Sequence, residues 1–258
     1  MSERVHQILE IAQAMAPISL KEIETLALMD RVDVKFILHE NEFLCALEEV
    51  ADEYHILEVD GVRASRYLTT YFDTPDFAMY QMHHNGARTR FKLRWRWYLD
   101  SSIIFLEVKE KNNRERTRKT RIPLTEPVTD LQTIDLTWLP ERFAHDPATL
   151  TPTVWTRFRR LMLADIERGE RITVDLDLQL GDADGHIVAL PGLVIVEIKQ
   201  QKFSLASPMA RQIHDIHRSP HHISKYCVAM ATLYPGIKNN QFKPVIRRLE
   251  SICDVRLI

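Results

Sequence analysis

Apolar and polar residues alternate with a period of two over several stretches of this chain, the spacing of strands with one buried face. The clearest case is 87–98, A-R-T-R-F-K-L-R-W-R-W-Y. A strand there puts Arg88, Arg90, Lys92, Arg94 and Arg96 in one row and Thr89, Phe91, Leu93, Trp95 and Trp97 in the other. The separation recurs over 31–38, where Arg31, Asp33 and Lys35 oppose Val32, Val34 and Phe36, and over 103–111, where Glu107, Lys109 and Lys111 oppose Ile104, Leu106 and Val108. It returns over 114–124 (Lys119 and Arg121 on the ionic side), 171–180 (Arg171, Thr173, Asp175, Asp177) and 193–199 (Glu197, Lys199). A further strand, 67–72, stops at the turn signal D-T-P-D, and Asn85-Gly86 reads as a hairpin turn leading from 76–84 into the basic strand.

Helical spacing predicts helices over 2–15 and 20–28, over 41–51 with Asn41 as cap, over 207–218 with Pro208 in the first turn, and around 245–249. The proline-bearing stretch 125–153 reads as a connection, and 153–166 as a helix or strand-helix element containing Arg157, Arg159 and Arg160.

Net charge is −2, so the basic rows are local concentrations within a neutral chain, unlike the pervasive positive charge of a general nucleic-acid binder. No apolar run reaches the roughly 20 residues that span a bilayer and no signal-peptide pattern opens the chain, so a cytoplasmic location is expected. Cys45, Cys227 and Cys253 are far apart and odd in number, which argues for small buried apolar side chains and against a disulfide framework. His214, His217, His221 and His222 cluster in sequence, but Pro220 interrupts them and no zinc spacing is present.

Two arrangements suit such strands: an open sheet with ionic faces in water, or a sheet curled so that these faces line an interior. An enclosed row of Arg and Lys needs counter-charge. Linear phosphates supply it, because guanidinium forks take phosphate oxygens two at a time and the few carboxylates can hold the accompanying divalent cation.

In order along the chain stand R-V-D-V-K-F, Y-F-D-T, an R-x-K-x-R-x-R-x-Y run ending at Tyr98, L-E-V-K-E-K, T-R-F-R-R, R-I-T-V-D, V-E-I-K and S-K-Y. Together they resemble the VTC domain, the polyphosphate polymerase domain of the vacuolar transporter chaperone complex, within the CYTH-like triphosphate tunnel metalloenzyme superfamily. The resemblance implies one α+β domain over 1–258 with its core at about 31–230: an antiparallel β-tunnel, a closed barrel of about eight strands with a charged lumen and helices packed outside. Trp95 and Trp97 are then expected to point outward beneath the helices of 2–15, 41–51 and 245–250.

The resemblance further implies transfer of the γ-phosphoryl of ATP to a growing inorganic polyphosphate chain with manganese or magnesium. By matching position, Arg94, Arg96, Arg157, Arg171 and Lys225 carry catalysis. Lys35, Arg90, Lys92, Lys109, Lys119, Arg121, Lys199 and Ser224 bind phosphate, and Glu197 binds metal. Asp33, Glu107, Asp175 and Asp177 either join the metal or, as the preferred reading, pair with neighbouring cations. Where many tunnel enzymes carry E-x-E-x-K, this chain has Arg31-Val32-Asp33-Val34-Lys35, one carboxylate fewer. A tripolyphosphatase or nucleoside triphosphatase, or a non-catalytic polyphosphate sensor, would use the same lumen. Nucleic acid is not an expected partner, no membrane insertion is expected, and any coupled export of polymer would need another chain.

Overall fold

The computed structural model describes residues 1–25, 32–112 and 117–258; Arg31 and Arg114 fall outside them. In chain order the elements are α1 (Glu3–Ala14), β1 (Pro17–Ile18), α2 (Leu20–Thr25), β2 (Val32–His39), α3 (Glu40–Val50), β3 (His55–Leu57), β4 (Ser65–Asp73) and α4 (Ala78–His84). There follow β5 (Arg90–Tyr98), β6 (Ile103–Lys111), β7 (Thr117–Leu124), β8 (Thr151–Asp165), β9 (Glu170–Asp182), β10 (Ile187–Ala189) and β11 (Leu193–Gln200). Helices α5 (Pro208–Asp215), α6 (Lys225–Leu233) and α7 (Lys243–Cys253) close the chain.

Among the described residues one sheet of eleven strands results, with the main path β2-β11-β9-β8-β4-β5-β6-β7 antiparallel throughout. The expected closed barrel is not formed. Among the described residues the terminal strands β2 and β7 do not pair, and the free edge of β2 instead receives the His221 N–H on the Lys35 carbonyl at 2.8 Å. The sheet still curls, because residues of both ends line one cavity: Asp33 and Lys35 on one side, Lys109, Lys111 and Thr117 on the other.

The outer face is covered by two different materials. Helices α1, α3 and α5 pack on Phe36, Leu38, Leu161, Leu163, Ile172, Val174, Val194 and Val196. Over β5 and β6 the cover is loop: Leu131 and Leu150, with Trp138 and Phe143, lie on Phe91, Leu93, Trp95 and Leu106. The tryptophans do point outward, but beneath this loop rather than beneath helices, and the Trp95 indole N–H donates to the Val128 carbonyl at 3.0 Å. Each large side chain so buried contributes roughly 1.5–3 kcal/mol. Helix α7 also departs from expectation, since Ile246 and Leu249 pack with Ile37 and Ile195 on the inner side of the sheet, next to α6.

Local chemistry explains the other differences. Helix α3 starts before Asn41 because His39 is its cap, accepting the Asn41 N–H at 3.2 Å while Glu42 reaches back to the His39 N–H at 2.8 Å. Asn85-Gly86 ends a helix instead of turning a hairpin: Gly86 takes φ +67° and the Ala87 N–H returns to the Met82 carbonyl at 2.9 Å. Residues 153–166 are strand, not helix, because β8 lies between β4 and β9, where ladder pairing overrides the helical leaning of Arg, Leu, Met and Ala. Cys45 is exposed, against expectation, whereas Cys227 and Cys253 are buried. Among the described residues no helix is long and apolar enough to cross a membrane.

Candidate active site

Strand alternation carries the ionic rows of β2, β11, β9, β5, β6 and β7 to the inner face, where Tyr67, Thr69 and Tyr71 of β4 and Arg160 of β8 join them. Arg94 lies directly opposite Glu107, Lys92 opposite Lys109, and Arg96 opposite Phe105. On the far wall Lys35 faces Glu197, while Lys199 lies between Asp33 and Arg171. The side chains sort into three carboxylate-centred clasps.

In the first clasp Glu107, 1% exposed, takes the Arg94 guanidinium at 2.9 and 3.0 Å and the Lys119 ammonium. Burial would raise its pKa, but Arg94, Arg96 and Lys119 outweigh that and hold the carboxyl at about 2. In the second, Asp175 accepts Arg160 through two bonds, 2.6 and 2.8 Å, and also the Lys225 ammonium. Its pKa falls to about 2, against burial, under the pull of Arg160 and Lys225. In the third, Glu197 is held between Lys35 and Lys199, with the Thr173 hydroxyl at 3.4 Å and Asp33 3.9 Å from Lys199. Burial opposes its ionisation, yet the two lysines keep the carboxyl well below the usual range.

Arg96 and Lys92 are held by hydroxyls. Arg96, nine-tenths buried, donates to the Thr69 hydroxyl at 3.3 Å and lies 5.6 Å from the Tyr67 ring centre, with no carboxylate at ion-pair distance among the described residues. Lys92 donates to the Ser224 hydroxyl at 2.7 Å. Desolvation, with Lys92, Arg94 and Lys35 nearby, brings the Lys109 ammonium down to about 8. Even the Tyr71 phenol has its pKa lowered: burial would raise it, but Arg94, Arg96, Lys92 and Lys225 surround it. Around Tyr71 the inner face is thus a field of positive potential, in which Tyr71, Glu107, Asp175 and Glu197 shift toward their anionic forms and Lys92 and Lys109 toward the neutral amine.

Helix α6 enters this field end first. Ser224 caps it, accepting the Cys227 N–H at 3.2 Å, so its first turn, with Lys225, faces the cations of β5 and the Asp175 clasp. Tyr226 anchors the helix: its hydroxyl donates to Asp73, which also accepts the backbone N–H of Thr74, Met79 and Tyr80 at 2.8–3.0 Å. The Y-F-D-T motif therefore supplies a buried acceptor that fixes α6.

Of the residues selected from sequence, Lys35, Lys92, Arg94, Arg96, Lys109, Lys119, Arg171, Lys199, Ser224, Lys225 and Glu197 come together on the inner face. Arg90 stands at the cavity rim, donating to the Ala87 carbonyl at 2.7 Å, and Arg121 lies exposed on β7 with its guanidinium 4.2 Å from the Phe105 ring centre. Arg157 does not belong: it is exposed on the outer face, in phase with Leu161 and Leu163, which pack under the helices. Arg160 takes the inner position instead, in phase with Phe158, whose ring centre lies 5.2 Å away. T-R-F-R-R offers arginines of both phases, and the packing of Leu161 beneath the helices fixes which of them face outward. Asp177 is also outside the clasps. It bulges from β9 at φ +53°, shifting the register against Arg157 and Arg159, and pairs with Arg159 at 3.1 Å. Glu107 pairs with Arg94 and Lys119 rather than with Lys109, two residues along.

The four clustered histidines do not form a metal site among the described residues; His214 is exposed beside Asp215, while His221 and His222 line the cavity. The grouping with metal-ligand spacing there is Asp182, Asp184 and His186, in the β9–β10 turn, where Asp182 already accepts the backbone N–H of Asp184 and His186.

A curled antiparallel sheet with a cation-lined inner face is the architecture of a polyanion receptacle. The family model of the VTC domain matches residues 30–234, and the chain belongs to that family. No curated protein matches. Among solved structures it is similar to HpAC1 from Hippeastrum, described as an adenylyl cyclase candidate with a dominant triphosphatase activity, at 12% identity and a TM-score of 0.52, over 78% of this chain and 95% of that one. Similarity extends to two proteins titled as adenylate cyclase candidates. One is from Bacillus halodurans (12% identity, TM-score 0.49, 76% and 95% covered), the other from Vibrio parahaemolyticus (16%, 0.43, 78% and 98%). At these identities the likeness is one of fold.

Proposed function

We propose that the protein is a metal-dependent polyphosphate polymerase that transfers the γ-phosphoryl of ATP to a polyphosphate chain lying on the inner face. The observation that carries this reading is the convergence of Lys35, Lys92, Arg94, Arg96, Lys109, Arg160, Arg171, Lys199 and Lys225 on one curled face where carboxylates are few. Membership of the VTC family supports it.

Phosphoryl transfer needs positioning and charge stabilisation more than a protein nucleophile. Arg94 and Arg160 are each held through Nε and one terminal nitrogen by a carboxylate and present their remaining N–H groups to phosphate oxygens; Arg96, buried with no carboxylate at ion-pair distance among the described residues, takes a phosphate as its counter-ion. The first turn of α6, with Lys225 and Ser224, completes the anion cradle.

A divalent ion fits the donor set at Glu197. The carboxylate and the Thr173 hydroxyl 3.4 Å from it are hard oxygen donors, which would suit magnesium or manganese shared with substrate phosphates. Such an ion would neutralise charge on the phosphates. Lys35 and Lys199, which now hold Glu197, would then turn to phosphate oxygens.

Water in place of the polymer terminus would make the same groove a triphosphatase, a reading favoured by the likeness of fold to HpAC1. Incubation with ATP and manganese separates the readings. Long chains on a gel are the expected result; free phosphate alone indicates the hydrolase, binding without turnover a sensor, and absence of triphosphate binding overturns all three.

A further inference from the structure

A cavity of about 700 Å³ lies between the two ends of the sheet. One wall carries Asp33 and Lys35 of β2 with His221 and His222; the other carries Arg90, Lys92, Lys109, Lys111 and Thr117 of β5, β6 and β7. Two observations give this side opening a meaning. First, β2 and β7 do not pair among the described residues, so the ionic floor is reached between the edges. Second, one axial way through the curl is filled: on the same inner face Ile37, Ile195, Leu178 and Leu180 are buried against Val228, Met230, Ile246 and Leu249 of α6 and α7. A charged polymer cannot thread a path packed with aliphatic side chains, because stripping its phosphates of water against them is prohibitively costly.

We propose that linear polyphosphate enters this groove sideways, between the β2 and β7 edges, so that internal stretches of chain bind as well as ends. The inference rests on the reading of the groove as a polyphosphate site and concerns how the polymer reaches it. Lys35 on one wall and Lys92 and Lys109 on the other meet a chain lying in the cleft from both sides, while Lys109, with no carboxylate at ion-pair distance among the described residues and its ammonium surrounded by cations, gains most from an arriving phosphate. A groove that accepts internal stretches holds one long polymer at many registers, and lets it leave without running back to an end.

The test uses the full chain and long-chain polyphosphate biotinylated at both termini, with and without bound streptavidin, whose bulk forbids threading. Binding is measured by displacement with inorganic tripolyphosphate, in the native protein and in Arg94→Ala. Sideways entry predicts that the blocked polymer binds within a factor of about ten of the free one, is displaced by tripolyphosphate, and loses affinity in Arg94→Ala. Binding of the free polymer but not the blocked one overturns sideways entry and leaves the proposed function standing. Binding of the blocked polymer that neither tripolyphosphate nor Arg94→Ala affects places it elsewhere on the surface and also overturns the inference. If neither polymer nor tripolyphosphate binds, the proposed function itself fails.

Discussion

The inner face of the sheet has two halves that differ in chemistry while sharing the same strands. On β2 the inward series runs Lys35 then Ile37, and on β11 Glu197 then Ile195; on β9 Asp175 gives way to Leu178 and Leu180 across the bulge at Asp177. The charged half is held by ion pairs around Glu107, Asp175 and Glu197. The aliphatic half is packed by α6 and α7. Helix α6 spans the boundary, with Ser224 and Lys225 among the charges and Val228, Ala229 and Met230 in the apolar half. The contrast teaches that the depth of the groove is set by where aliphatic residues begin, and that Arg94, Arg160, Lys35, Lys199 and Lys225 are held in position by carboxylates.

Arg94→Ala should break the charged half most severely. It removes a phosphate ligand, for a loss of triphosphate affinity of about 10- to 100-fold, and leaves Glu107 with one partner fewer in a buried place, at a stability cost of up to about 3–5 kcal/mol. Calorimetric titration and thermal melting read the two effects. Arg157→Ala, on the outer face, should change neither, and a matching loss there would return Arg157 to the site.

Glu197→Gln should abolish manganese-dependent turnover while the chain stays folded at reduced stability, since Lys35 and Lys199 hold opposite carboxylate oxygens and the single amide oxygen can still accept from one of them. Full activity in that variant would remove Glu197 as metal ligand.

At the boundary, Tyr226→Phe should cost about 1–3 kcal/mol, because it takes one donor from buried Asp73 and leaves the backbone N–H groups of Thr74, Met79 and Tyr80 in place. Chemical denaturation measures this, and weaker triphosphate binding should accompany it if the anchor positions Ser224 and Lys225.

The gentlest test is pH. Lys109 titrates at about 8 in the fold against 10.5 in the free side chain, so between those values the unfolded chain binds more protons and stability rises with pH. Anion binding moves the other way, weakening as pH passes 8 and the ammonium is lost. Lys109→Arg, charged throughout, should flatten that step in the triphosphate affinity between pH 7 and 9.

Much of this was legible in the alternation itself. A period of two assigns each side chain to a face without knowledge of the partner strand, so Lys35, Arg94, Arg96, Lys109, Lys199 and Glu197 could be grouped before any fold was known. The alternation failed where a residue's face depends on something outside its own strand. T-R-F-R-R offers arginines of both phases, and only packing of Leu161 and Leu163 beneath α1 and α3 decides that Arg160 turns inward and Arg157 outward.

Sequence by itself therefore determined most of the long strands, β8 excepted, with their ionic and apolar faces and the basic character of one side, because these follow from covalent geometry and from local spacing. Tertiary structure alone decided that the sheet curls without closing, that a loop covers Trp95 and that α6 and α7 fill half of the inner face. Those outcomes depend on competition between distant segments for the same apolar surface and the same free strand edge, as when His221 takes the Lys35 carbonyl at the edge of β2, and no local pattern records who wins it.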